Sequence, residues 1–531
     1  MKLRVVTIAR NGKKIWHGVI QWLSCWADGP DYVTQCPIMP GNSYTYRFNI
    51  TGQEGTLFYH AHSGFFRATV HGALVVRPKL GNSYPFPEPH MDFPIILGEW
   101  YNESVTYLEK QITEDGFGPD PPEGHTINGL LGDFYSCSHQ RRFLDVQKEG
   151  QYSTLEFPFR ESGFERDIYT IKVTRGKTYL LRLIGAMMNI NMFFMIANHN
   201  MTVVAVDASY TNPYPTNVVT VSPGQTIDVL FEANQPSSYY YMAALSYHIQ
   251  SFIDILHPTT TALLVYDDVD TTQSMLPVMP NFPDYWDTET AVNFSSSLTA
   301  LVTSPFWTPV PLEIDEHMFM TIGLGIVHCN KEDKSRCLGP LNQLTAASIN
   351  NVSFQSPTET SILEAYFNKK DGVYTTNFPN RPPVMFNFTN LSYIVNEKLM
   401  WTHKATKVKK LEYNATVEIV FQGLTFVNSE SHPMHLHGHN FNVLAQGFGN
   451  YDPSKDRVKF NLVNPQVRNT IAVPMGGWAA IRFQANNPGA WYIHCHMEPH
   501  LAVGLGTIFL VENGPTTSTT LPPPPTDLPR C

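Results

Sequence analysis

The chain has 531 residues, with 36 lysines and arginines against 46 aspartates and glutamates and a formal charge of -10. Its basic residues form no dense run, which argues against a nucleic-acid partner. Charged residues make up only 15% and aromatics 12%, with 40 prolines, a mixture suited to short strands and turns rather than long helices. The length allows about three domains with separate cores, and no stretch reaches the roughly 18 to 20 apolar residues that span a bilayer. An all-β protein with no membrane span is expected.

Along the chain, the opening "MKLRVVTIARNGKK" holds an apolar patch broken by Arg4 and Arg10, too short for a secretory leader. Asn-x-Ser/Thr sequons nevertheless stand at Asn49, Asn102, Asn200, Asn293, Asn351, Asn387, Asn390 and Asn414, a density that points to a glycosylated, secreted protein. The two observations agree if the natural beginning is missing, and that is the expectation. Next comes "KKIWHGV", with His17 two residues after Ile15.

Three regions then repeat one pattern. "GTLFYHAHSGFFRATVHGALVVRP" begins at Gly55, "SSYYYMAALSYH" followed by "TTALLVYDD" at Ser237, and "GAWYIHCHMEPHLAVGLGTIFLVEN" at Gly489. Each is an aromatic strand, an insert and a closing apolar strand. Upstream lie "MPGNSYTYRFNI", "SPGQTIDVLFEA" and "PMGGWAAIRFQA", where a turn precedes the alternation of a half-buried strand. The pattern predicts three copies of one β-sandwich: 1–85, 86–268 and 386–531. Between the last two, 269–385 is rich in Pro, Thr and Ser and reads as an irregular linker, and "GPTTSTTLPPPPTDLPRC" reads as an extended tail.

Histidines are spread unevenly over these copies. The aromatic strand ends in His60-Ala61-His62 in the first and His494-Cys495-His496 in the third, while the second has Met242-Ala243-Ala244 in those slots. A further cluster, "HPMHLHGH", supplies His432, His435, His437 and His439. Side chains at i and i+2 of a strand share a face about 6.6 Å apart, and i+1 takes the other. His60 and His62 can therefore serve one metal cluster, and in "HCH" the cysteine looks away from both imidazoles. A thiolate with two histidines in a trigonal array is the blue-copper arrangement, and His432 and His500 are placed to complete it around Cys495. Leu505, ten residues on, sits where an axial ligand could be but offers none, which favours a raised potential. Zinc is the rival metal, but a structural zinc site closes with four ligands and does not need nine histidines from two distant regions.

Four segments carry a resemblance: "WADGPDYVTQCPIMPGNSYTYRFNITGQEGTLFYHAHSGFFRATVHGALVVRP", "TVVAVDASYTNPYPTNVVTVSPGQT", "HPMHLHGHNFNVLAQGFGNYDP" and "NNPGAWYIHCHMEPHLAVGLGT". The chain resembles the plant laccases of the multicopper oxidase family from about Ile15 to Cys531. The resemblance implies three cupredoxin-like Greek-key domains, the first without its N-terminal strand, and a complement of four copper ions. It assigns type 1 copper to His432, Cys495 and His500, and the two type 3 coppers to His17, His60, His496 and to His62, His437, His494. It also implies a secreted, apoplastic monomer that oxidises phenols such as lignin precursors, with His500 as the electron entry edge and dioxygen reduced to water. Asp28 matches the family's acid near type 2 copper, though an acidic turn residue is an equal alternative; Glu498 is a second candidate for moving protons.

Laying "IWHG" on "HLHG" puts His17 on His437 and Ile15 on His435. The family reads "HWHG" there, so His435 is left as the sole protein imidazole for type 2 copper. Lys14 is ruled out by its charge and its strand face. A weakened or vacant type 2 site is expected, with type 1 intact. A copper protein that does not reduce dioxygen therefore stands as the second reading. The resemblance pairs Cys36 with Cys531, and Cys329 with Cys337 closes a short loop; Cys137 resembles a residue whose partner lies in the absent strand, and Cys25 stands where alanine is usual. Without that strand, the first domain is expected to leave an open sheet edge.

Overall fold

The computed structural model describes residues 2–6, 15–116, 119–133, 168–247, 259–270, 275–328, 343–390, 397–425 and 430–531. Strand is the dominant structure, as the composition implies, and it gathers into several sheets. In the first region, Gly55–His60 lies between Ile15–His17 and His71–Val76. Lys2–Val6 pairs antiparallel with Ser43–Arg47, so the opening residues, read from sequence as an apolar patch, lie along an edge expected to be bare. Ser43–Arg47 shows the predicted alternation, burying Tyr44 and Tyr46.

The corresponding strands further along do not alternate. Thr226–Glu232 and Gly477–Ala485 are buried on both faces almost throughout. Each is flanked by two strands, Thr178–Gly185 and Met201–Val206 for the former, Ala415–Gly423 and Phe441–Phe448 for the latter. A central strand covered on both sides needs no polar face.

The segment 269–385, expected to be irregular, contains regular elements. A helix, Thr288–Ser297, starts at an Asp287 cap whose carboxylate accepts the Thr290 N–H. The strand Glu316–His328 runs parallel to Ala415–Gly423 and antiparallel to Gln343–Ile349 inside the eight-stranded sheet of the third region. "EHMFMTIGLGIVH" buries Met318, Met320 and Ile322 at alternate positions. The Pro, Thr and Ser around it masked that period in the composition.

The largest core cluster joins all three regions: Cys25, Trp26 and Phe65 of the first, Met188 of the second, and Trp491, Tyr492 and Cys495 of the third. Residues from distant parts of the chain thus meet in one dry interior, where the histidines also lie. Cys36 and Cys531 are joined in a disulfide with Cα atoms 5.0 Å apart. Cys137, Cys329 and Cys337 lie outside the described residues. Cys25 is a buried free thiol that donates to the Ala490 carbonyl. No helix among the described residues is long and apolar enough to cross a membrane.

Candidate metal centre

Four strands and the residues just past them carry most of the candidate histidines. Ile15–His17 pairs with Gly55–His60 so that Ile15 stands opposite His60. In the third region His432–Leu436 lies between Thr470–Val473 and Gly489–Cys495, with Met434 opposite Cys495 and His435 opposite His494. The period of two then sets directions. His60 and His62 have ring centres 6.0 Å apart, and His494 and His496 5.7 Å apart, each pair nearly parallel. Cys495 turns the other way: its Sγ is 3.8 Å from His432 Nδ1 and 3.5 Å from His500 Nδ1.

Three groups of potential ligands result, all buried, with the ligand atoms of each within 4.8 Å of one another: His17, His60, His496; His62, His437, His494; and His432, Cys495, His500. The two members of each HxH pair go to different groups. His435 belongs to none of the three. Its ring stacks on His17 at 3.8 Å. Ile15 shares a strand face with His17, is 1% exposed, and has no donor atom.

The protons on these rings can be placed from their partners. His60 Nδ1 lies 2.8 Å from the Ala61 carbonyl, His494 Nδ1 2.8 Å from that of Cys495, and His437 Nδ1 2.8 Å from Asp28 Oδ2. All three partners accept, so Nδ1 carries the proton and Nε2 keeps a lone pair. Those of His437 and His494 converge, their Nε2 atoms 3.1 Å apart, and His60 Nε2 lies 3.4 Å from His17 Nδ1. Lone pairs facing at such distances repel unless a cation lies between them. The donor set therefore fits metal ions bound by imidazole nitrogen, with soft sulfur in the third group, as copper prefers.

Burial supports the same state. It holds His17, His60, His62, His435, His494 and His496 well below the ordinary histidine value, with neighbouring imidazoles or Arg67 adding to the effect. Burial beside His500 takes His432 down to about 3. Neutral imidazole is the ligand form. For His500 burial is outweighed by Glu430, 2.9 Å from Nε2, and by Cys495, which push it up to about 10.

Sequence reasoning left Asp28 between a proton-moving acid and a turn residue; the structure shows a turn position and a contact with His437. It caps the short helix Cys25–Ala27 through its N–H, and its carboxylate, 3% exposed, orients His437. Glu498 is buried 3.3 Å from Arg67, and burial, against the pull of that guanidinium, raises it to about 7. Leu505 is buried and contributes only its backbone, accepting the Cys495 N–H and donating to the His500 carbonyl.

Arg67 was not foreseen. Fully buried, it donates to His496 Nδ1 at 2.8 Å and to the His496 and Met187 carbonyls. In "GFFRATVHG" it reads as one cation on a turn, and nothing local signals its burial. Of the sequons, Asn49, Asn102, Asn200, Asn293, Asn387 and Asn414 are exposed, and Asn351 and Asn390 half-buried.

Multicopper oxidase family models match residues 10–81, 91–268 and 377–515. The chain belongs to the multicopper oxidase family. Laccase-7 of Arabidopsis thaliana is 51% identical over 97% of this chain and 86% of its own length. Laccase-25 of Oryza sativa subsp. japonica is 48% identical with the same shares. The solved laccase from Botrytis aclada has the same fold, with a TM-score of 0.71 at 24% identity over 98% of this chain and 81% of that one. Together with the site, these relatives make the chain a laccase-like multicopper oxidase, a copper-dependent oxidoreductase.

Proposed function

We propose that the chain oxidises small phenols by single electrons at the Cys495 group and delivers those electrons to dioxygen at the imidazole groups, in the extracellular space of the cell wall. In this reading His432, Cys495 and His500 hold type 1 copper. His17, His60 and His496 hold one type 3 ion, and His62, His437 and His494 the other. Copper bound there supplies one-electron redox steps that can be stored until dioxygen takes four. The chain's own part is geometric. His494, Cys495 and His496 are consecutive, so one tripeptide links a sulfur facing one group to imidazoles facing the other two. That alternation is the observation that carries the reading.

Asp28 fixes the proton on His437 Nδ1, which keeps Nε2 free. Glu498, buried one residue past Met497 and held by Arg67, is a group able to carry a proton in a dry interior. Leu505, buried near Cys495, has no donor atom to offer a copper held there, which would favour a raised potential. The exposed sequons support a secreted, glycosylated protein. The division into units is read as 1–85 and 86–268, with the third starting near 316, where its sheet begins.

Ile15 favours a second reading. With isoleucine in the slot equivalent to His435 in the repeat, type 2 copper has one protein imidazole, and the chain is a blue protein that does not reduce dioxygen. Oxygen uptake with a simple phenol, measured beside copper content and electron paramagnetic resonance (EPR), separates the two. Uptake that scales with enzyme supports the first reading, and a blue protein that consumes no oxygen defeats it.

A further inference from the structure

The middle unit contributes no histidine to the three ligand groups, yet one of its turns reaches both ligand-bearing units. Strands Met201–Val206 and Ser209–Thr216 are joined by Asp207 and Ala208, both with positive φ, 45° and 56°. Such two-residue turns favour Asn-Gly, because a side chain at positive φ is strained. Strain of this kind persists where the surroundings over-determine it. Here they do. The Asp207 carboxylate, 1% exposed, accepts the Thr226 N–H of its own unit at 3.0 Å and the N–H groups of Asn469 and Thr470 in the third unit, both at 3.1 Å. Ala208 packs on the first unit so closely that a Cβ on Gly55 would lie 2.9 Å from its Cα.

The two residues Asp207 holds bear directly on copper ligands. The Asn469 carbonyl accepts from His435 Nδ1 at 2.8 Å. The Thr470 hydroxyl lies 3.0 Å from His435 Nδ1 and 3.2 Å from His17 Nε2, within reach of both stacked rings. The Asn469 side chain occupies the space a Cβ at Gly18 would need, its Nδ2 only 2.5 Å away, so it also abuts the residue after His17. Gln225 of the middle unit adds a hydrogen bond to the Thr470 carbonyl at 3.3 Å.

We propose that the Asp207–Ala208 turn is a positioning element for His17 and His435, acting through Asn469 and Thr470 from a unit that supplies none of the residues of the three ligand groups. The proposal rests on the ligand assignment above. Outer partners that fix imidazole orientation change metal affinity or activity by about 10- to 100-fold when removed, and this loop fixes two imidazoles from different units at once. Its value is greatest at His435, which has no second histidine where Ile15 stands.

The test uses the full-length, copper-loaded chain with Thr470→Val, Thr470→Ser and Asp207→Asn. Copper per chain, the blue absorption of the Cys495 group and the EPR spectrum are recorded for each, with the melting temperature of the copper-free form. The expected result is a loss of copper and an altered spectrum outside the blue group in Thr470→Val and Asp207→Asn, with the blue band intact. Thr470→Ser, which keeps the hydroxyl, should behave as the parent. Native copper content and spectrum in Thr470→Val overturn the proposal, as does a change in melting temperature alone, or a Thr470→Ser as damaged as Thr470→Val. If Asp207→Asn does not fold, the two Thr470 variants decide. His17→Ala, at a member of a ligand group, distinguishes the levels: copper lost there but kept in Thr470→Val overturns the positioning role alone, and copper kept in both overturns the ligand assignment beneath it.

Discussion

The strands Gly55–His60 and Tyr239–Tyr247 occupy the same place in the repeat, and they differ in what their side chains are asked to do. Each is central in its sheet, between a partner on one side and a closing strand on the other. The first ends in His60 and continues to His62, with both imidazoles in ligand groups. The second places Met242 and Ala244 in those slots, both fully buried in the apolar cluster of the middle unit. The same strand position is therefore filled by ligand-type side chains in one copy and apolar ones in the other, so the capacity to hold metal resides in a few inward positions. The middle unit keeps the scaffold and uses it to hold its neighbours together, through Asp207 and Gln225 on one side and the carbonyls of Met187 and Met188, near Arg67, on another.

The largest expected effect comes from removing the sulfur that faces away from the imidazole groups. Cys495→Ser is nearly isosteric, and it should abolish the blue absorption and phenol oxidation while leaving copper at the imidazole groups. A persisting blue band would mean that the thiolate is not the ligand. Asp28→Asn comes next. The amide can still accept from His437 Nδ1, but it lacks the charge, so copper affinity or activity should fall by about tenfold, the lower end for an outer partner. Metal content and oxygen uptake measure it; an unchanged enzyme would return Asp28 to a turn residue.

Ile15→His asks whether the first unit can regain what the third has in His435. Ile15 and His17 share a face, so an imidazole at 15 projects toward the side where His435 stacks on His17. Copper content should rise by about one ion per chain, because a site with two imidazoles binds where one does not. Unchanged copper and activity would show that the register is wrong, or that Ile15 is not what limits the site.

The candidate ligand groups were legible because the rule that places them is local: alternate residues share a face, so "HAH" and "HCH" announce their geometry within three residues. Even the division of labour inside "HCH" follows from that period. What stayed hidden depends on contacts between distant residues. Asp28 and His437 are 409 positions apart, and no spacing in the chain says that they touch. Arg67 and Thr470 look like ordinary turn and strand residues until the third unit closes on the first. The strand Glu316–His328 has its own alternation, but its partner begins near Ala415, and the intervening prolines and serines dominate any composition reading. Ser43–Arg47 alternated as predicted, whereas Gly477–Ala485 did not, because whether a strand is central or peripheral is decided by its neighbours.

The smallest effect sharpens the opening comparison most directly, since it applies one substitution to both copies. Met242 is fully buried among apolar side chains, so Met242→Leu keeps volume and hydrophobicity and should cost under about 1.5 kcal/mol, with copper content unchanged. His60→Leu at the matching slot removes a nitrogen that lies 3.2 Å from His496 Nε2 and 3.4 Å from His17 Nδ1, and should lower copper content while relieving crowding among the copper-free rings. In the absence of copper His60→Leu is therefore expected to melt no lower than the parent, and with copper loaded it should lose the metal's contribution to stability. Melting curves with and without copper read both. If Met242→Leu shifted copper content, or His60→Leu did not, the two slots would not be equivalent, and the repeat would have been aligned out of register.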